Sequence, residues 1–173
     1  YPDSKLAIGP SIENGFYYDV LFKNAISIED LDKIEKEMRN ILLEGNRINK
    51  TLKSKEEVIK LFRERGEDYK IKIIEEADQI SDFQIYSQEG TDFIDLCYGP
   101  HLPSLKHIGE FKLTKISGAY WKGDSKNEML QRIYGTAWKN SRDLNQHLQF
   151  LQEAEKRDHR VLGKSMDLFH FQE

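Results

Sequence analysis

The chain has 173 residues, 38% of them hydrophobic and 32% charged, with a formal net charge of −4 and one cysteine. That length suggests one domain, or a domain with an appendage, able to bury a core. A lone cysteine excludes an internal disulfide framework and favours a reducing compartment, and no apolar run reaches bilayer length or reads as a signal peptide.

The start at Tyr1, without Met, suggests a piece of something longer. Charge is unevenly spread: residues 112–164 hold 11 Lys+Arg against 6 Asp+Glu, a local +5, and the remainder holds 15 against 24, or −9. A basic C-terminal third suits a polyanion-facing surface, or an ordinary solvated one.

In chain order, residues 5–8 and 16–20 read as strands of a hairpin whose long loop holds Gly9-Pro10 and Asn14-Gly15. Phe16, Tyr18 and Val20 share one face, so periodicity alone makes Tyr18 a core residue. Ser27-Ile28-Glu29-Asp30 opens a helix with Leu31, Ile34, Met38, Ile41 and Leu42 at helical spacing and Gly45 as its stop. Residues 48–52 form a short strand. Ser54 opens a second helix, striped by Val58, Leu61 and Phe62 and ended by Gly66.

Alternation predicts a strand over 69–74, a loop over 78–82, a strand over 83–87, a turn at Glu89-Gly90 and a strand over 91–97. Beyond a loop marked by Pro103 and Gly109, residues 111–116 form another strand. Residues 119–121 and 129–134 form a hairpin around Gly123-Asp124. A long helix runs from Ser141 to about Lys164, with Leu144, Leu148, Leu151 and Ala154 on its apolar side and a polar far end suited to bridging two domains. The class is α+β: a mostly antiparallel sheet with helices packed on it, ending in that long helix.

The chemistry concentrates in Asp95-Leu96-Cys97-Tyr98-Gly99-Pro100-His101. Alternation turns Asp95 and Cys97 the same way, and the Gly99-Pro100 turn can swing His101 back beside the thiol. Such a cluster is half of a zinc site, which needs two further ligands, or a Cys–His nucleophilic pair, or a polar pocket for water. The plain alternative is a small buried Cys97 and a turn histidine.

Ala7-Ile8-Gly9-Pro10, Asn14-Gly15-Phe16-Tyr17-Tyr18-Asp19, the Asp95 to His101 stretch, Ser117-Gly118-Ala119-Tyr120-Trp121-Lys122-Gly123-Asp124, the run from Met129 to Trp138, and Lys156-Arg157-Asp158-His159-Arg160 occur in that order. With them the chain resembles the editing domain of bacterial-type threonyl-tRNA synthetases, followed by its linker helix. The resemblance implies an editing domain over 1–140, a linker helix over 141–164 and the start of a catalytic domain over 165–173. It implies hydrolysis of tRNA(Thr) mischarged with serine, a second sieve behind an imperfect first one.

By the same resemblance Lys70, Cys97 and His101 are catalytic, and Asp95, Tyr18 and Gly9 bind substrate. Editing needs no cofactor; ATP, Mg and Zn belong to the catalytic domain of the full-length enzyme, a cytoplasmic homodimer with no membrane contact. The family's His-x-x-x-His element has no counterpart in this sequence. Zinc is therefore not expected to bind here, and deacylation by this chain alone is expected to be impaired, which keeps open a non-catalytic tRNA-docking or linker module. His107, His147, His159 and His170 read as surface or packing residues, and Trp121 and Trp138 as core or sheet-face aromatics.

Overall fold

The structure is a computed structural model that describes residues 1–78 and 81–157. In chain order the elements are β1 (Lys5–Leu6), β2 (Ser11–Ile12), β3 (Gly15–Leu21), α1 (Ile28–Glu44), β4 (Ile48–Lys53), α2 (Lys55–Glu64), α3 (Asp68–Glu76), β5 (Phe83–Gln88), β6 (Ile94–Leu96), β7 (Glu110–Tyr120), β8 (Met129–Trp138) and α4 (Ser141–Lys156). The class is α+β, with every strand pair antiparallel.

The strands divide into two sheets rather than one. Five strands follow the order β1-β3-β8-β7, with β2 also on β3; three follow β4-β5-β6. Helix α1 covers one face of the larger sheet, where Leu31, Ile34 and Met38 pack with Ile26, Leu113, Ile116 and Ile133. The smaller sheet closes on α2 and α3 through Val58, Phe62, Ile74, Phe83 and Ile85. Both helix starts fit their sequence: Ser27 with Asp30, and Ser54 with Glu57, form capping boxes, and Gly45 ends α1 in the left-handed conformation.

Residues 69–74 are helical, not extended. Tyr69 with Ile73 and Lys70 with Ile74 are i,i+4 pairs on different sides of α3; Tyr69, Lys70 and Ile74 are buried and Ile73 is partly so. Alternation of Lys with Tyr and Ile imitated a strand, because a short helix clamped from two sides leaves only part of its surface polar. The strand expected over 91–97 shrinks to the three-residue edge strand β6. Residues 111–116 and 119–121 belong mostly to one long strand, β7, carried past a bulge between Leu113 and Lys115. The helix from Ser141 is described as far as Lys156, with Leu144 buried and His147 packed on Trp138. Its expected continuation to 164, Asp158, His159, Arg160 and His170, and the expected catalytic-domain start over 165–173 lie outside the described residues, as do 79 and 80 in the expected loop.

Helix α3 joins the two halves. Ile71 and Ile74 belong to the core of the smaller sheet. Tyr69 and Ile73 belong to a second cluster with Ala7, Leu21, Trp121 and Leu130 from the larger one. Polar links hold it to the larger sheet: Lys5 to Asp68, Lys122 to Glu76, and the Tyr69 hydroxyl donating to Glu128 at 2.5 Å. Tyr69 and Trp121 pack ring on ring at 4.8 Å.

Candidate functional site

Three residues far apart in the chain meet where α3, β3 and β6 converge. Lys70 Nζ lies 2.5 Å from Asp95 Oδ1 and donates to the Tyr18 hydroxyl at 3.0 Å. That hydroxyl donates in turn to Asp95 Oδ2 at 2.8 Å, closing a ring of three polar groups. The backbone N–H of Leu96 also donates to Asp95 Oδ1, at 2.7 Å. Lys70 is 4% exposed, so the ammonium and the carboxylate face each other largely out of water.

A buried ion pair holds only when its other hydrogen-bonding capacity is satisfied, and Tyr18 does this by accepting from the cation and donating to the anion. Burial first, then the Asp95 charge and hydrogen bond, push the Tyr18 phenol far above its ordinary value, so it keeps its proton at any physiological pH. Periodicity made Tyr18 a core residue; it is half-buried, and its hydroxyl closes the polar ring instead.

Gly9 supports the ring from below. A Cβ there would fall 2.1 Å from Tyr18 Cδ2, so only glycine lets the main chain lie against the aromatic face. Backbone bonds between Ala7, Ile8 and Asp19 hold this segment to β3.

Cys97 follows Asp95 by two residues, and its charge, were it ionised, would be felt by the Tyr18 phenol. Its Sγ accepts the Gly99 N–H at 3.3 Å. The His101 ring lies on Tyr86 at 4.1 Å, and Tyr86 pairs with Asp95 across β5 and β6. Gly99, at φ 65°, lets the chain pass against the Tyr86 hydroxyl, where a Cβ would sit 2.0 Å away. The bend after Gly99 thus returns His101 to the Asp95 side of the small sheet, seated on an aromatic ring.

Glu67, three residues before Lys70, was not singled out from the sequence. Burial raises its carboxyl above the usual range, opposed by Lys70 and reinforced by Asp95. Its place in Gly66-Glu67-Asp68-Tyr69-Lys70 was the available signal.

Cys97 and His101 supply two of the four donors that a closed tetrahedral zinc site needs. Among the described residues no three His, Cys, Asp or Glu side chains gather as a metal would require. These two donors alone do not make a closed metal centre. No helix among the described residues is long and apolar enough to cross a membrane.

A family model described as the threonyl and alanyl tRNA synthetase second additional domain matches residues 84–134. The whole chain is 54% identical over 173 residues to a threonine--tRNA ligase of Francisella philomiragia subsp. philomiragia, 51% to one of Marinobacter nauticus and 52% to one of Burkholderia ambifaria. In each case all of this chain matches, and it spans 27% of the relative's length.

Proposed function

We propose that this chain, which is similar to the threonyl and alanyl tRNA synthetase second additional domain over residues 84–134 and to threonine--tRNA ligases over its whole length, hydrolyses the ester of tRNA(Thr) mischarged with serine. The observation that carries this reading is the closed Lys70–Tyr18–Asp95 ring, assembled from three separate elements.

Each member has capacity left for a substrate. An ammonium has three donors, of which Lys70 directs two at Asp95 and Tyr18, leaving one for a water or an ester oxygen. The Asp95 carboxylate has one lone pair left, on Oδ2, to accept the ammonium of an aminoacyl group, a charge-assisted bond. Tyr18 fixes both in place. Water then adds to the ester carbonyl, forming a carbon–oxygen bond and an oxyanion stabilised by the Lys70 cation. Collapse breaks the bond to the ribose oxygen, which takes up the proton released by the water, giving free serine and an uncharged 3′ end. Threonine is spared by its extra methyl.

Water, rather than the Cys97 thiol, is the nucleophile in this reading. The thiol is engaged by the Gly99 amide, and the His101 ring rests on Tyr86. Cys97 and His101 act by holding water and the terminal ribose. ATP-dependent ligation with Mg and Zn, the homodimer and the cytoplasmic setting are assigned to the whole ligase.

A second reading, a tRNA-docking module without hydrolysis, draws on the excess of 11 Lys+Arg over 6 Asp+Glu across residues 112–164. Deacylation of seryl-tRNA(Thr) separates the two, measured in this chain and in one extended upstream by a helix bearing a His-x-x-x-His pair. The extended chain is expected to deacylate far faster, and Lys70→Ala or Asp95→Asn within it to stop the reaction. An extended chain that binds the tRNA without releasing serine would leave only the docking module.

A further inference from the structure

A carboxylate beside the polar ring is left unused by the fold. Glu67 occupies the N-cap position of α3, yet its side chain makes no capping bond. Its main chain is held at both ends: the N–H donates to the Phe62 carbonyl at 2.9 Å, and the carbonyl accepts the Ile71 N–H at 3.2 Å. Among the described residues its carboxylate has no hydrogen-bond or ion-pair partner, although the residue is half-buried. The charges around it are committed elsewhere. Asp68 pairs with Lys5, and Arg65 gives two nitrogens to Asp92.

Its place on the helix aims it at the ring. Residues 67, 70 and 74 fall on one stripe of α3, three and four apart. Helical side chains lean back toward the N-terminus, so Lys70 reaches over the turn that begins at Glu67. The electrostatics agree with that placement. Burial raises the Glu67 carboxyl, Lys70 opposes the rise and Asp95 adds to it, and the Tyr18 phenol feels the Glu67 charge.

Hydrolysis needs a place for the proton that water releases as it adds to the carbonyl, and the ring offers none. Tyr18 keeps its own proton. The Lys70 ammonium is a donor only, and the single lone pair left on Asp95 goes to the aminoacyl ammonium. From this we infer that Glu67 is the proton acceptor of the hydrolysis, activating a water held on the third Lys70 N–H. The inference rests on the editing reading and supplies the base which that reading lacks. As the bond from water oxygen to carbonyl carbon forms, one water proton passes to a Glu67 oxygen and the carbonyl electron pair moves onto its oxygen. When the bond to the ribose oxygen breaks, that oxygen leaves with the bonding pair and takes the proton from Glu67, which returns to its carboxylate form.

Deacylation of seryl-tRNA(Thr) by the whole ligase carrying this chain, followed from about pH 5 to about pH 8, tests it. Glu67→Gln keeps the shape of the side chain and removes its basicity. It is expected to lower kcat about a hundredfold or more with KM little changed, and Glu67→Asp to recover part of the loss. The parent rate should fall as acid protonates the carboxylate, and Glu67→Gln should flatten that limb. The charged and titratable groups facing Glu67 are Lys70 and Asp68 on α3, Arg65 ahead of it, Asp95 on β6, Tyr18 on β3 and Lys5 on β1. An acid limb that persists in Glu67→Gln would give the proton to one of these or to His101, and overturns the assignment. So does a loss of rate uniform in pH, the mark of a merely structural role. Parent-like kcat in Glu67→Gln overturns it too, and leaves the editing reading intact. A parent ligase that releases no serine overturns both.

Discussion

At the residue scale the site depends on one phenol that both accepts and donates. Tyr18→Phe keeps the Lys70–Asp95 pair but leaves each partner short of a hydrogen bond, a cost of about 1–2 kcal/mol. Lys70→Ala is harsher, because it strands a carboxylate whose side chain is only 16% exposed, at about 3 kcal/mol or more. Urea unfolding of the two variants should give that order, and equal losses would mean that the ion pair adds nothing beyond the phenol. Alkaline pH probes the same group. Tyr18 and Tyr69 both have folded values raised above the ordinary tyrosine value of about 10. The folded chain then holds more protons than the unfolded one above that pH. The stability they contribute is complete below about pH 10 and is lost as pH climbs through the folded values. A Tyr18→Phe, Tyr69→Phe double variant should show a shallower alkaline decline in melting temperature than the parent.

At the element scale α3 decides where Lys70 points. Its position is set by Tyr69 against Trp121 and by Tyr69 bonding to Glu128, neither of which touches the polar ring directly. Trp121→Ala should cost about 3–5 kcal/mol from the lost packing. It should also slow deacylation in the chain extended upstream, under conditions where circular dichroism still reports a folded chain. Unchanged hydrolysis there would show that α3 holds its place without the indole. This helix is also where the sequence misled. Hydrophobic alternation over 69–74 fitted a strand, because two cores draw on opposite sides of nine residues. Capping boxes made α1 and α2 legible from local chemistry alone. The meeting of Lys70 with Tyr18 and Asp95 was not legible from spacing, since 52 and 77 residues separate Tyr18 from its partners. Only the family resemblance pointed there. Turn residues suggested that Gly99-Pro100 swings His101 beside Cys97; the structure seats the His101 ring on Tyr86, which spacing could not show because that ring comes from a neighbouring strand.

At the scale of the whole molecule, two antiparallel sheets contribute opposite walls of one polar site. The larger brings Tyr18 and the smaller brings Asp95. The excess of positive charge in the C-terminal third runs through β7 and β8, the strands that present Lys115 and Arg132. The shared helix has a practical corollary. Since Ile74 and Tyr69 are neighbours on it yet serve different cores, neither half can melt without dragging the other. On warming, near- and far-ultraviolet ellipticity should vanish at one midpoint, and two separate transitions would show that the halves come apart independently.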